Sequence, residues 1–280
     1  MKTGIALTAG GFKGAFAHGV MSALEKEKIS FSAYSGASVS SYAAITGALG
    51  EASNNMKKEW ELGLSALFEN GFHEGPTIMI DTLNERVWAH NGKELWNENS
   101  PELYITVSKV NLPVDKINLE LGEELQEYAK RKDSSWAENN LQPFQFSPES
   151  ISMTKFNDVI TASCRLLYVW GSPTIIDGEA YIDSSYTESC PITPLLNSKC
   201  DKIIAVSTNS YGFPASVFKR QDERMNKSNI YRIVPTIDPS SFGVGTLSGT
   251  IEDVWNLFDH GEEIGYQYAN HIKEFLEYES

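Results

Sequence analysis

Positive charge is in deficit in this chain: 23 Lys and Arg stand against 37 Asp and Glu, a net charge of -14. That balance excludes nucleic acid as a partner, since a basic footprint is the mark of such proteins. It also excludes electrostatic attraction to anionic membranes, which rewards Lys and Arg clusters. Cysteine is scarce as well. Cys164, Cys190 and Cys200 are odd in number and lack CxxC or His-paired spacing, which excludes a disulfide framework and a zinc site and leaves three reduced thiols. Nothing resembles a calcium loop. No run approaches the roughly 18 apolar residues a membrane span needs. The apolar start, Met1 to Leu7, is broken too soon by Gly10 and Gly11 to act as a signal peptide. No internal repeat is present. The expectation is a cytoplasmic protein without metal or cofactor. Any contact with a membrane would be transient and peripheral, through apolar surface or capture of single lipid molecules.

What is there is an ordinary globular composition, 41% apolar over 280 residues, enough for one large domain spanning 1–280. Strand-like apolar runs fall at 4–8, 31–35, 103–110, 175–183, 202–207 and 229–234. Helical patterns fall at about 14–27, 38–49, 54–69, 122–131, 154–164 and 249–277. The alternation predicts an α/β fold, a sheet with helices on both faces. Segments 132–150 and 209–228 are the least patterned and read as loop or lid-like excursions. In the last helix Ile251, Val254, Phe258, Gly261, Ile264, Tyr268, Ile272 and Phe275 share a stripe, which predicts a core-packing face.

Chemistry concentrates at three places. The first is Ile5–Leu7 followed by Thr8-Ala9-Gly10-Gly11-Phe12-Lys13-Gly14 and a helix. A strand feeding a glycine turn at a helix N-terminus aims backbone N–H groups at an anion. The phosphate-loop pattern fails here, because Gly14 is not followed by Lys and Ser or Thr. The dinucleotide pattern fails on the spacing of its first glycines. An oxyanion needs only two aligned donors.

The second place is Phe31–Ser35 leading into Gly36-Ala37-Ser38-Val39-Ser40 and a helix. Strand, Gly-x-Ser-x-small, helix is the layout of a nucleophile elbow, although an N-capping serine gives the same local pattern. A serine nucleophile needs a base. Of His18, His73, His90, His260 and His271, none has a signature for the task; His18 sits among small apolar residues and reads as packed. The third place supplies an alternative: an apolar strand ends in Asp183, followed by Ser184, Ser185 and the extended Pro191-Ile-Thr-Pro194. A lone aspartate there also suits a turn bonded to its own backbone.

In this order the three elements resemble the patatin-like phospholipases. Ala9-Gly10-Gly11-Phe12-Lys13-Gly14 is similar to that family's glycine loop, with Ala17-His-Gly-Val20 continuing the likeness. Gly36-Ala-Ser38-Val-Ser40 stands for its Gly-x-Ser-x-Gly. Asp183-Ser-Ser stands for its Asp-Gly-Gly/Ala, with Ala162-Ser-Cys and Ile176–Ile182 before it. The likeness covers about 3–50 and 156–208. It implies a three-layer α/β sandwich with a mostly parallel central sheet, and lipid acyl hydrolysis by a Ser–Asp dyad. Ser38 would be the nucleophile and Asp183 the base. Gly10, Gly11 and Phe12 would form the oxyanion hole, with Lys13 and Gly14 supporting the loop and Gly36 and Ser40 shaping the elbow. Its substrates would be lipids or lysolipids, the acidic surface favouring monomeric ones. Acyl transfer to another alcohol or thiol is an alternative that differs only in what resolves the acyl-enzyme. Two departures, Ser40 and Ser184 in place of glycines, leave room for a catalytically weak protein that binds lipid or a partner. The run Leu166–Trp170 suits an acyl groove and a plain core equally.

Overall fold

The computed structural model describes residues 1–277. In chain order the elements are β1 (Thr3–Leu7), α1 (Gly14–Lys26), β2 (Ala33–Ala37), α2 (Ser40–Leu49), α3 (Met56–Ala89) and β3 (Glu102–Val110). Then come α4 (Leu119–Arg131), α5 (Ser135–Asn140), β4 (Leu141–Phe146), α6 (Phe156–Ser163), α7 (Leu167–Trp170), β5 (Thr174–Ile176) and β6 (Glu179–Ile182). The chain closes with α8 (Thr193–Asn197), β7 (Lys202–Val206), β8 (Ile230–Ile233) and α9 (Ile251–Glu277).

The sheet has eight strands in the order β5-β6-β3-β2-β1-β7-β8, with β4 paired to β3 off that path. Pairings among β3, β2, β1, β7 and β8 are parallel. Parallel strands need both faces covered, and side chains alternate accordingly. Ile5, Leu7, Tyr34, Ile204 and Val206 join the core beneath α1, α2 and α9. Ala6, Ala33, Ile203 and Ala205 join a second core on the other face with Ile192 and Leu195. This is the expected mostly parallel α/β sheet between helical layers.

The α9 stripe does pack inward, with Val254, Phe258, Gly261, Ile264 and Ile272 buried and Leu257 and Ala269 added to it. It lies so close to α1 that a Cβ on Gly261 would stand 2.2 Å from the Phe16 carbonyl oxygen. Only glycine allows that approach.

Three expectations need correction. Segment 132–150 is no lid: it contains α5 and β4, and β4 pairs antiparallel with β3 from Ile105↔Phe146 to Val110↔Leu141. Pro143 hides the strand pattern, yet proline is tolerated on an edge strand. The run at 175–183 is a hairpin. Asp177 and Gly178 both have positive φ (51° and 82°) between β5 and β6, as a two-residue type I′ turn requires. The helix expected at 54–69 continues to Ala89 across a kink at Gly71 (φ 67°, ψ 176°). By contrast, 209–228 is an irregular excursion apart from one short turn at Glu223–Asn226.

Gly261→Val tests the α1–α9 approach. Overpacking of this kind costs about 1–3 kcal/mol, so the urea unfolding midpoint should fall clearly, while Gly261→Ala should fall less.

Candidate active site

Strand β3 explains how two distant residues meet. Along one of its edges β2 pairs in parallel and ends at Ala37↔Thr106. Along the same edge β6 pairs antiparallel and ends at Ile182↔Ser108; β4 takes the opposite edge. The two strands therefore run toward each other and stop two β3 residues apart. The next residue of each chain is Ser38 and Asp183. The Ser38 hydroxyl donates to Asp183 Oδ2 at 2.7 Å, with both residues buried.

Ser38 has φ +54°, the left-handed region that a non-glycine residue occupies only when its surroundings enforce it. Three groups enforce it here. The Ser38 N–H donates to Ser163 Oγ at 2.9 Å, and Ser163 in turn donates to the Thr106 carbonyl of β3 at 2.7 Å. A Cβ on Gly36 would lie 2.5 Å from Ser41 Cα, so the elbow closes only over glycine. Ser163 was legible only as part of Ala162-Ser-Cys, with nothing to assign it a task.

Ser40, one of the two departures from glycine, occupies the first turn of α2 with no positive φ. Its hydroxyl donates to the Thr8 carbonyl at 2.7 Å, which ties the elbow to the glycine loop. Serine at this position is accommodated and bonded.

In the glycine loop the Ala9 N–H donates to the Ser189 carbonyl at 2.8 Å and Thr8 N–H to Val206. Gly11 has φ +57°, and a Cβ there would meet the Thr246 carbonyl oxygen at 1.9 Å. The Phe12 N–H donates to that same carbonyl at 3.0 Å, and the Phe12 side chain is buried. Phe12 is thereby removed from the expected oxyanion set. Among the described residues the Gly10 and Gly11 amides have no acceptor, and both residues line the cavity over Ser38. Gly14 begins α1 behind them. Lys13 lines the cavity too, donating to Asn209 Oδ1 at 2.9 Å. Burial lowers its pKa, with Asp238 acting the other way.

Burial pushes the Asp183 carboxyl up to about 6, against the bonds it receives from Ser185 and Ser38. The Ser185 N–H donates to Asp183 Oδ1 at 2.8 Å, and Ser108 Oγ donates to the Asp183 carbonyl at 2.7 Å. Ser184 is buried with its hydroxyl unpartnered. Cys164 is buried beside the pair. Burial, then the Asp183 charge, holds its thiol well above the usual range, so it stays protonated. Cys164, Cys190 and Cys200 are all free and buried.

None of the described histidines lines this cavity. His18 is packed: Trp60 Nε1 donates to its Nδ1 at 3.2 Å, Thr46 Oγ1 lies 3.1 Å from its Nε2, and burial drives its pKa down to about 3. The His73 side chain lies outside the described residues. The cavity holds about 920 Å³, within the upper range of small-ligand sites. Leu166 and Tyr168 line it while Leu167 is core, so the run at 166–170 faces the cavity and the core by turns. Among the described residues no helix is long and apolar enough to cross a membrane.

A buried serine–aspartate pair thus lies at the C-terminal ends of two sheet strands, under a glycine loop, in an α/β fold whose serine sits on a strand–turn–helix elbow. The model of the patatin-like phospholipase family matches residues 5–196, and the chain belongs to that family. No curated protein matches it. Among solved structures, human GIVD cytosolic phospholipase A2 is similar at 10% identity and a TM-score of 0.49. That likeness covers 98% of this chain, which spans 62% of the other.

The raised Asp183 pKa has a consequence for stability. A carboxyl at about 6 when folded and about 3.9 when unfolded holds its proton more tightly in the native state. Its stabilising contribution is therefore complete below about pH 4 and is lost as pH rises through about 6. Asp183→Asn removes this loss. Thermal unfolding should show the variant gaining on the wild type between pH 4 and pH 7, and an unchanged difference would refute the shift.

Proposed function

We propose that the protein is a serine acyl hydrolase that cleaves fatty-acyl esters of phospholipids, lysophospholipids or related lipids. The observation that carries this reading is the 2.7 Å bond from the Ser38 hydroxyl to Asp183 inside a ligand-sized cavity. Family membership over residues 5–196 supports the lipid class of the substrate.

In the first step Ser38 Oγ attacks the ester carbonyl carbon as its proton passes to Asp183 Oδ2. The carbonyl oxygen becomes an oxyanion facing the Gly10 and Gly11 amides; such donors contribute about 3 kcal/mol each to lowering the barrier. The Ser38 amide takes no part, being bonded to Ser163. Collapse breaks the ester C–O bond, and the leaving alkoxide takes the proton from Asp183. Water then attacks the acyl-serine, giving its proton to Asp183, and the second collapse returns that proton to Ser38 Oγ with release of the fatty acid. Every transfer passes through one carboxylate, and its raised pKa brings it closer to the working pH as a base. The bonded fit of Ser40 favours catalysis over a merely binding role.

A fluorophosphonate probe should label the wild type and leave Ser38→Ala unlabelled, while Asp183→Asn should lose p-nitrophenyl ester turnover with its fold intact. A wild type that neither labels nor cleaves would refute the reading. Asp183 must be ionised to accept the proton, so kcat/KM should rise about tenfold per pH unit below its pKa of about 6 and level off above it. A further ascending limb near pH 7 in the rate profile would point to a histidine base instead.

A further inference from the structure

The cavity lining departs from the charge of the whole protein. In a chain of net charge -14, the cavity is lined by four cations, Lys13, Lys130, Lys132 and Arg220, against one carboxylate, Asp183. Lys130, Lys132 and Arg220 are exposed and so stand at the rim. They come from separate places, the C-terminal end of α4 and the excursion 209–228, which is why no basic patch was legible in the sequence.

Their partners leave them available. Arg220 has no ion pair or side-chain hydrogen bond among the described residues. Among the described residues Lys132 Nζ reaches only the Val217 carbonyl, at 3.3 Å. Lys130 pairs with Glu127 at 2.6 Å; an exposed pair of this kind contributes little and exchanges readily. The neighbouring Lys219 is held by Glu138. The segment carrying Arg220 is anchored: Arg224 pairs with the buried carboxylates of Glu188 and Asp222 at 2.8 and 2.5 Å, and the Asp222 N–H donates to the Phe213 carbonyl. Beside the cations the same cavity presents Leu125, Leu166 and Val217.

We propose that the substrate is a single-chain lipid with a net-negative, phosphate-bearing headgroup, held at the rim by Lys130, Lys132 and Arg220 while its acyl ester reaches Ser38. This rests on the reading of Ser38 and Asp183 as the ester-cleaving pair. A cavity lined predominantly by one sign of charge focuses the field on its contents, whereas the net negative charge of the rest of the molecule repels an anionic bilayer. The triad therefore reads one headgroup, not a membrane face.

The test compares 1-acyl lysophosphatidate with lysophosphatidylcholine of the same chain, both kept monomeric, using the full chain. The kcat/KM ratio should favour the anionic lipid by about tenfold at about 0.05 M salt and shrink toward about 0.5 M as screening rises. In the triple variant Lys130→Gln, Lys132→Gln, Arg220→Gln the ratio should collapse toward one through a higher KM for the anionic lipid. A wild-type ratio of one, or a ratio untouched by the triple variant, overturns the proposal.

If no ester is cleaved, the hydrolase reading fails, but calorimetry still decides the headgroup. An ether-linked alkyl glycerophosphate should bind about tenfold tighter than its choline counterpart, and equal binding refutes selection. Glycerol 3-phosphate or inorganic phosphate binding as tightly as the ether lipid would make the ligand a free phosphate and overturn the lipid assignment. Retention on phosphatidylglycerol vesicles that the triple variant loses, without preference among monomers, would make the rim a membrane contact and overturn it too.

Discussion

Everything at the site depends on one strand receiving two others end to end. Because β2 and β6 share an edge of β3 and approach from opposite directions, their last residues are held at fixed separation by backbone pairing alone. A parallel neighbour and an antiparallel neighbour are both needed; two parallel strands along that edge would point the same way and never meet. The mixed sheet is thus the device that sets a serine against an aspartate 145 positions away. The residues that refine this arrangement bond back to β3: Ser163 to Thr106, and Ser108 to the Asp183 backbone.

Burial then sets the chemistry. Enclosing a carboxylate costs free energy unless bonds replace its water, and Asp183 receives only part of that replacement, from Ser38 and Ser185. The remainder shows as an affinity for protons that an exposed aspartate lacks. Fold stability and basicity are therefore opposed at this residue. A fuller set of donors would calm the carboxylate and weaken it as a base.

Much of this was legible in the sequence because it lies in local turns. Glycines at 10, 11 and 36, a serine between strand and helix, and an aspartate at a strand end each carry their own backbone signature. What stayed hidden depends on distance. Phe12 looked like an oxyanion donor until Thr246, far along the chain, took its amide. Ser163 has no local mark, since its task lies in bonding Ser38 and Thr106 across elements. Pro143 masks the strand at 141–146, and the run at 175–183 reads as one strand although Asp177-Gly178 marks a turn within it. The cationic rim assembles from helix α4 and the 209–228 excursion, so linear reading saw only acidity.

The pinning of the glycine loop has a consequence in time. Thr8 and Ala9 are fixed by the Val206 and Ser189 carbonyls, and β1 gains its second neighbour only in β7. A ribosome delivers those residues long after the loop itself has emerged. Contacts that close such long stretches of chain form late in folding. The nascent N-terminal half therefore holds loop and elbow in register through the β1–β2 pairing and the Ser40–Thr8 bond, but the far side of the loop stays unbonded until the last third of the chain inserts beside β1.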